Sequence, residues 1–105
     1  MTWTLTSVIV AKFKVQGATC KYNVFAIGTT GGTASNALRL SAPITWDSVS
    51  FVAATQVRDA TSGVTRVGSG GCYSSGYLVA YKADPSSNYG LGTGRAMIQS
   101  GEFSF

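Results

Sequence analysis

The chain has 105 residues, of which 45% are hydrophobic and only 11% charged, and its net charge is +4. This length suits one domain, residues 1–105, and the composition excludes both a disordered chain and a monomer coated with charge. No run of about 20 apolar residues could span a membrane and no signal peptide opens the chain, so we expect no membrane insertion.

The first predicted elements form a hairpin. Residues 4–16 and 19–27 each alternate apolar and mixed positions with a period of two, and Gly17-Ala18 between them marks a tight turn. A polar, glycine-rich loop follows at residues 28–36, and a short strand at residues 37–41. The sequence therefore opens with two paired strands, a loop and a third strand.

The second half of the chain also alternates short predicted strands with turns. The whole sequence has 13 glycines, which supply frequent turns. A second long loop is predicted at residues 84–94, and strands at residues 48–57, 64–67, 72–82, 95–99 and 101–105. No apolar stripe with a 3.6-residue period is present, so no helix is predicted. The pattern predicts an all-β fold, a jelly-roll-like antiparallel β-sandwich of about seven to nine short strands.

The positive charge raises the question of nucleic acid. Phosphate-binding surfaces usually need a stripe of basic residues, and here the basic residues are spread singly along the chain. They are Lys12, Lys14, Lys21, Arg39, Arg58, Arg66, Lys82 and Arg95. We therefore expect no nucleic-acid partner.

Catalytic chemistry is poorly supported. The chain has no histidine, which removes the commonest general base and the commonest metal ligand. The four acids, Asp47, Asp59, Asp84 and Glu102, leave a glycosidase pair formally possible, but Asp59 and Asp84 are interpreted as turn formers. We predict no enzyme activity, no cofactor and no metal; residues 84–88 carry one carboxylate, too few for a good calcium site.

Two cysteines, Cys20 and Cys72, lie 52 positions apart. Each sits among β-forming residues, where free cysteine behaves as a small buried hydrophobe. The reduced state of both cysteines is favoured. A disulfide between them remains the alternative, because the sequence alone does not show whether the two residues are close in space.

Loop aromatics supply the candidate binding site. Trp46 lies near the end of a strand and Tyr89 lies inside a polar loop, and either ring could stack against a sugar. Asp47, Asp84 and Asn88 could add directional hydrogen bonds to hydroxyl groups. These five residues are the predicted carbohydrate-binding site. The alternative is that Trp46 and Tyr89 cap the sandwich core or pack at a subunit contact.

Several short motifs resemble the C-terminal head domains of phage tail fibres. Those domains often open with a Thr-Trp-Thr stretch, run through an aromatic-glycine hairpin and a Gly-Thr loop, and reach a Leu-x-Leu-x-x-Pro strand. The corresponding segments here are Thr2-Trp3-Thr4, Ala11 to Gly17, Gly28 to Thr33, Leu38 to Pro43, Gly92 to Arg95 and Ser100 to Phe103. The likeness covers both ends of the chain and is blurred from Trp46 to Tyr89; Leu5 replaces a frequent proline.

The resemblance implies a homotrimeric receptor-binding β-sandwich in the virion tail, folded in the host cytoplasm, that presents loops to a bacterial surface glycan. It also implies that Trp3 belongs to a structural first strand. Two alternatives remain open. One is an extracellular carbohydrate-binding module of a polysaccharide-degrading enzyme, and the other is a structural virion domain with no ligand.

Overall fold

The computed structural model describes residues 1–44, 51–59, 64–73 and 76–104. In them, nine strands form two antiparallel sheets that pack as a sandwich, which confirms the predicted fold class. In chain order the strands are β1 (Thr2–Gln16), β2 (Thr19–Gly31), β3 (Ala37–Ser41), β4 (Phe51–Val52), β5 (Ala54–Arg58), β6 (Arg66–Val67), β7 (Ser69–Tyr73), β8 (Tyr77–Tyr81) and β9 (Gly92–Ser104). One sheet has the order β1-β2-β9-β5-β6 and the other the order β3-β8-β7-β4.

The predicted hairpin is the frame of the five-stranded sheet. Gly17 takes a φ of +63°, a conformation that a glycine adopts without strain, and the turn joins β1 to β2 as predicted. β9 pairs with the other side of β2 along almost its whole length. These three strands have 15, 13 and 13 residues, so they are longer than the short strands that the sequence predicted.

The predicted loop at residues 28–36 is partly strand, because β2 continues to Gly31. The buried Thr30 hydroxyl donates to the Gly90 carbonyl over 2.6 Å and accepts from the Gly92 amide over 3.1 Å. The Trp3 indole reaches from β1 to the Arg95 carbonyl, 3.2 Å away. A polar, glycine-rich segment is therefore strand here because its neighbours supply hydrogen-bond partners.

Several other strand boundaries differ from the predicted ones. The predicted strand at residues 48–57 is two strands, β4 and β5, which belong to different sheets on either side of Ala53; residues 48–50 lie outside the described part. The predicted run at residues 72–82 contains a turn at Gly76, whose φ is +83°, so it divides into β7 and β8. Conversely, Gly101 does not interrupt β9.

The core lies between the sheets and is rich in aromatic rings. Tyr22 stacks on Phe13 at 5.7 Å and lies 6.1 Å from the Phe103 ring. Cys20 and Cys72 are completely buried and not bridged, in agreement with the favoured reduced state, and burial raises the pKa of both thiols. Their chemistry is that of buried apolar groups.

One polar side chain joins the two sheets inside this core. Gln99, on β9, is fully buried, and its Nε2 donates to Thr55 Oγ1 over 3.1 Å and to the Val79 carbonyl over 3.0 Å. Its Oε1 accepts from the Tyr22 hydroxyl over 2.7 Å, and that hydroxyl accepts from the Cys72 thiol over 3.2 Å. The network includes residues of both sheets. It uses both N–H donors of the Gln99 amide and one of the two lone pairs of its oxygen.

We expect Gln99→Leu to lower the free energy of unfolding by about 2–4 kcal/mol, because it leaves buried polar partners unsatisfied. Chemical denaturation monitored by fluorescence measures this. Gln56→Leu, an exposed glutamine on the neighbouring β5, is the matched control and should change stability by less than about 0.5 kcal/mol. Equal effects of the two substitutions would show that the network contributes little.

Candidate functional site

Asp84 occupies an exposed turn and forms local hydrogen bonds. Its carboxylate accepts from the Ser86 amide over 3.1 Å, from the Ser86 hydroxyl over 2.7 Å and from the Ser87 hydroxyl over 3.1 Å. These bonds, with the charge of Lys82 adding to them, hold the pKa of Asp84 below its usual value. The interpretation of Asp84 as a turn former is confirmed.

The other predicted site residues occupy different environments. Asn88 is exposed, whereas Tyr89 is only 1% exposed, with its hydroxyl donating to the Ala80 carbonyl over 3.0 Å. The Tyr89 ring therefore belongs to the core and offers no open face to a sugar. Trp46 and Asp47 lie outside the described residues, so their role in a carbohydrate site stays a prediction.

The carboxylate of Asp59 anchors the long loop after β8. Its carboxylate contacts Lys82 Nζ at 2.6 Å and Arg95 Nε at 3.5 Å, and it accepts from the Gly90 amide over 2.7 Å. The turn predicted to begin at Asp59 continues through residues 60–63, which lie outside the described part of the chain, so the interpretation of Asp59 as a turn former stays a prediction. Its partners lie 23 to 36 positions away in the sequence, and no local pattern signals such contacts.

Asp59 and Asp84 both line a small cavity of about 210 Å³, together with Lys82 and Arg66. A glycosidase pair needs one carboxyl group whose raised pKa keeps it protonated. Asp84 has a lowered pKa, and Asp59 contacts two cationic side chains. This pair of carboxylates is therefore poorly suited to acid catalysis.

The outer face of the four-stranded sheet offers a more suitable recognition surface. Tyr73 and Tyr77 lie opposite each other on β7 and β8, with 36% and 37% of their surface exposed. Tyr81 lies on the same face as Tyr77, because alternate residues of a strand point to the same side. We call these three tyrosines, with Arg39 on β3, the tyrosine face.

Two of the tyrosine rings converge above the middle of the sheet. Tyr73 and Tyr81 lie four register positions apart, roughly 13 Å along the strands, yet their ring centroids are 6.2 Å apart. Both side chains therefore lean toward each other along the strands. On β7 between them, a Cβ on Gly71 would collide with the Phe51 carbonyl, so glycine is required for β4 to pair here.

The electrostatics of the tyrosine face agree with this convergence. Hydrogen bonding with Tyr81, followed by partial burial, raises the pKa of Tyr73 to about 12. The positive charge of Arg39 acts in the opposite direction on the same phenol, which indicates that the guanidinium lies nearby. At neutral pH Tyr73 therefore keeps its hydroxyl proton and can both donate and accept hydrogen bonds.

An open groove of about 650 Å³ runs beside the converging rings. Two strand residues line one part of the groove: Val52, which is 94% exposed, and Ser69. Two loop residues, Asn36 and Pro85, also line it. The Asn36 amide donates to the Pro85 carbonyl over 3.0 Å, which ties the two loops together. Aromatic rings, hydroxyl groups and a carboxamide thus line one concave surface, a combination typical of small-molecule and saccharide sites.

A partial signal for this surface is present in the sequence. Alternation within residues 77–81 placed Tyr77 and Tyr81 on one face, but it did not show that Tyr73 and Arg39 join them from neighbouring strands. The fold also gathers Lys12, Lys14 and Lys21 on the outer face of the five-stranded sheet, with Lys14 directly opposite Lys21. The basic residues are spread along the sequence, but the pairing of β1 with β2 brings these three lysines onto one surface, which the sequence alone does not show.

Comparisons of the chain with protein-family models, curated proteins and solved structures find no match. Among the described residues no group of three or more histidine, cysteine or acidic side chains could hold a metal ion. The same residues include no helix that is both long and apolar enough to cross a membrane.

Proposed function

We propose that the chain is a non-catalytic surface-recognition domain that binds a glycan through the tyrosine face. The observation that carries this proposal is the tyrosine face itself: Tyr73 and Tyr77 are exposed and lie opposite each other, and Tyr73 and Tyr81 line a groove that also contains hydroxyl and amide groups. A phenol presents an apolar ring to the C–H surface of a sugar and a hydroxyl to its polar edge. In the described part of the chain, Asp59 pairs with Lys82 and Arg95, and Asp84 accepts hydrogen bonds within its own turn, which supports binding without hydrolysis.

The proposed setting is the receptor-binding head of a phage tail fibre, with a bacterial surface glycan as ligand. The support is the set of sequence motifs at both ends of the chain. Trp3 fits this view, since its indole bonds to β9 and thereby secures β1 against the sheet. The protein would then act in the virion tail after folding in the bacterial cytoplasm, where Cys20 and Cys72 stay reduced.

Homotrimer formation is part of this proposal, and β1 supports it. This 15-residue strand is at the edge of its sheet, where unpaired backbone groups invite association. Its apolar side chains Val8, Ile9 and Val15 are 53%, 54% and 49% exposed. An edge that is long and apolar is usually covered in a soluble protein, and a neighbouring copy would cover it.

Nucleic acid is not part of the proposal. The three clustered lysines are fewer than the six to ten phosphate contacts that make DNA binding strongly salt-dependent. Lys12 and Lys14 lie on β1, and Glu102 on β9 lies opposite the third lysine, Lys21, which reduces the local positive charge.

We expect Tyr73→Ala to weaken binding of the best ligand from a glycan array about tenfold, because it removes one stacking ring worth about 1 kcal/mol or slightly more. Calorimetric titration measures the affinity per site. Leu91→Ala, which removes an exposed apolar side chain from a different region, is the control and should bind normally. Trp46→Ala, titrated in parallel, tests the predicted loop site.

The outcome separates the candidate sites and functions. Loss of binding with Trp46→Ala and not with Tyr73→Ala would place the site on the loop instead. Absence of binding to every bacterial polysaccharide, with binding to plant polysaccharides, would favour a carbohydrate-binding module. Absence of binding to all glycans would favour a structural domain with no ligand.

We expect the purified chain to have a solution mass three times that of one copy, as measured by light scattering. Replacing Val8 and Val15 with aspartate should give folded monomers, because charge on the apolar face of β1 prevents its burial. Val67→Asp, at an exposed valine on the opposite edge strand β6, is the control and should stay trimeric. A monomeric native protein would contradict the trimer.

A further inference from the structure

Arg39 is the charged member of the tyrosine face. It lies directly opposite Val79 on the adjacent strand, so it is diagonal to both Tyr77 and Tyr81. Diagonal neighbours of this kind lie within reach of aromatic and long side chains. The guanidinium group is exposed, and within the described residues it forms neither an ion pair nor a hydrogen bond.

Each acidic residue that the structure describes either has partners other than Arg39 or belongs to the other sheet. Asp59 contacts Lys82 and Arg95, and Asp84 accepts hydrogen bonds within its own turn. Glu102 lies opposite Lys21 in the five-stranded sheet, whereas Arg39 belongs to the other sheet. Among the described residues, Arg39 is thus an unneutralised planar cation beside two exposed aromatic rings.

From this juxtaposition we propose that the tyrosine face selects an anionic sugar, one that carries a carboxylate or a phosphate group. A ring stacked on Tyr73 or Tyr77 would place its anionic substituent against Arg39. The guanidinium fork pairs with either group through two parallel hydrogen bonds, a geometry that lysine does not reproduce. This inference rests on the proposed glycan function and adds the chemical class of the ligand.

The Arg39 fork should contribute a moderate share of the affinity. The pair would form near solvent, where ion pairs are weakened by water and salt, but a bidentate geometry is stronger than a single contact. We therefore expect an anionic sugar to bind about tenfold more tightly than its neutral counterpart. Raising the salt concentration should reduce the difference.

The test uses matched ligands and matched variants of the full chain. Oligogalacturonate and its methyl ester share one sugar backbone, but the carboxyl group is charged in the first and a neutral methyl ester in the second. A mannose 6-phosphate oligosaccharide distinguishes phosphate from carboxylate. Calorimetric titration measures each affinity for the native chain and for Arg39→Gln, Arg39→Lys and Arg66→Gln. Arg66 is an exposed arginine on β6 in the other sheet and serves as the charge control.

We expect Arg39→Gln to remove the preference for the anionic ligand while affinity for the neutral ester is unchanged. Arg39→Lys should keep only part of the preference, and Arg66→Gln all of it. Binding that depends on Tyr73 but is equal for acid, phosphate and ester would overturn this inference and leave the glycan proposal intact. Failure of all three ligands and of a wider glycan array to bind would overturn both.

Discussion

The buried amide of Gln99 is the contact on which the arrangement of the two sheets depends. Apolar packing alone allows sheets to slide, because hydrophobic contact is not directional. Gln99 Nε2 bonds to the Val79 carbonyl in the opposite sheet, and its Oε1 accepts from Tyr22 in its own. A shift of one sheet against the other would break these bonds inside the core, where unsatisfied polar groups are costly. The amide therefore holds β8 in a defined position.

The hydrogen bond between Gln99 and the Val79 carbonyl also affects the outer face of the four-stranded sheet. Val79 is the residue between Tyr77 and Tyr81 on β8, and Arg39 and Gly71 are its partners on the two adjacent strands. By fixing the backbone of Val79, Gln99 also fixes the strand that carries half of the tyrosine face. A recognition surface on a rigid sheet loses little conformational entropy on binding, whereas a surface on long loops has to be ordered first.

The sequence predicted the fold class because its period-two alternation and frequent glycines are local signals. It also predicted the β1–β2 hairpin, whose turn needs a glycine, and β3 with its bounds. It missed the continuity of β9 through Gly101, since a glycine that allows close approach of Tyr22 cannot be told from a turn glycine. It likewise missed that β4 and β5 belong to different sheets, because only the tertiary fold separates them.

The tyrosine face was less predictable for the same reason. Tyr89 lies in a polar stretch and suggested a loop aromatic, but its ring fills the core and its hydroxyl has a partner at Ala80. Tyr73 and Arg39 are 34 positions apart in sequence and meet only because β3 and β7 flank β8. Tertiary pairing thus decides which aromatic rings are exposed together, and local composition does not.

The central claim is that the outer face of the four-stranded sheet is the surface that meets the ligand. Mapping of backbone amide chemical shifts during titration with the best glycan from the array tests it most directly. The account predicts that the largest changes occur at Arg39, Gly71 and Tyr77, with little change at Lys14 or Lys21. Changes centred on the Trp46 indole, or on β1, would contradict it.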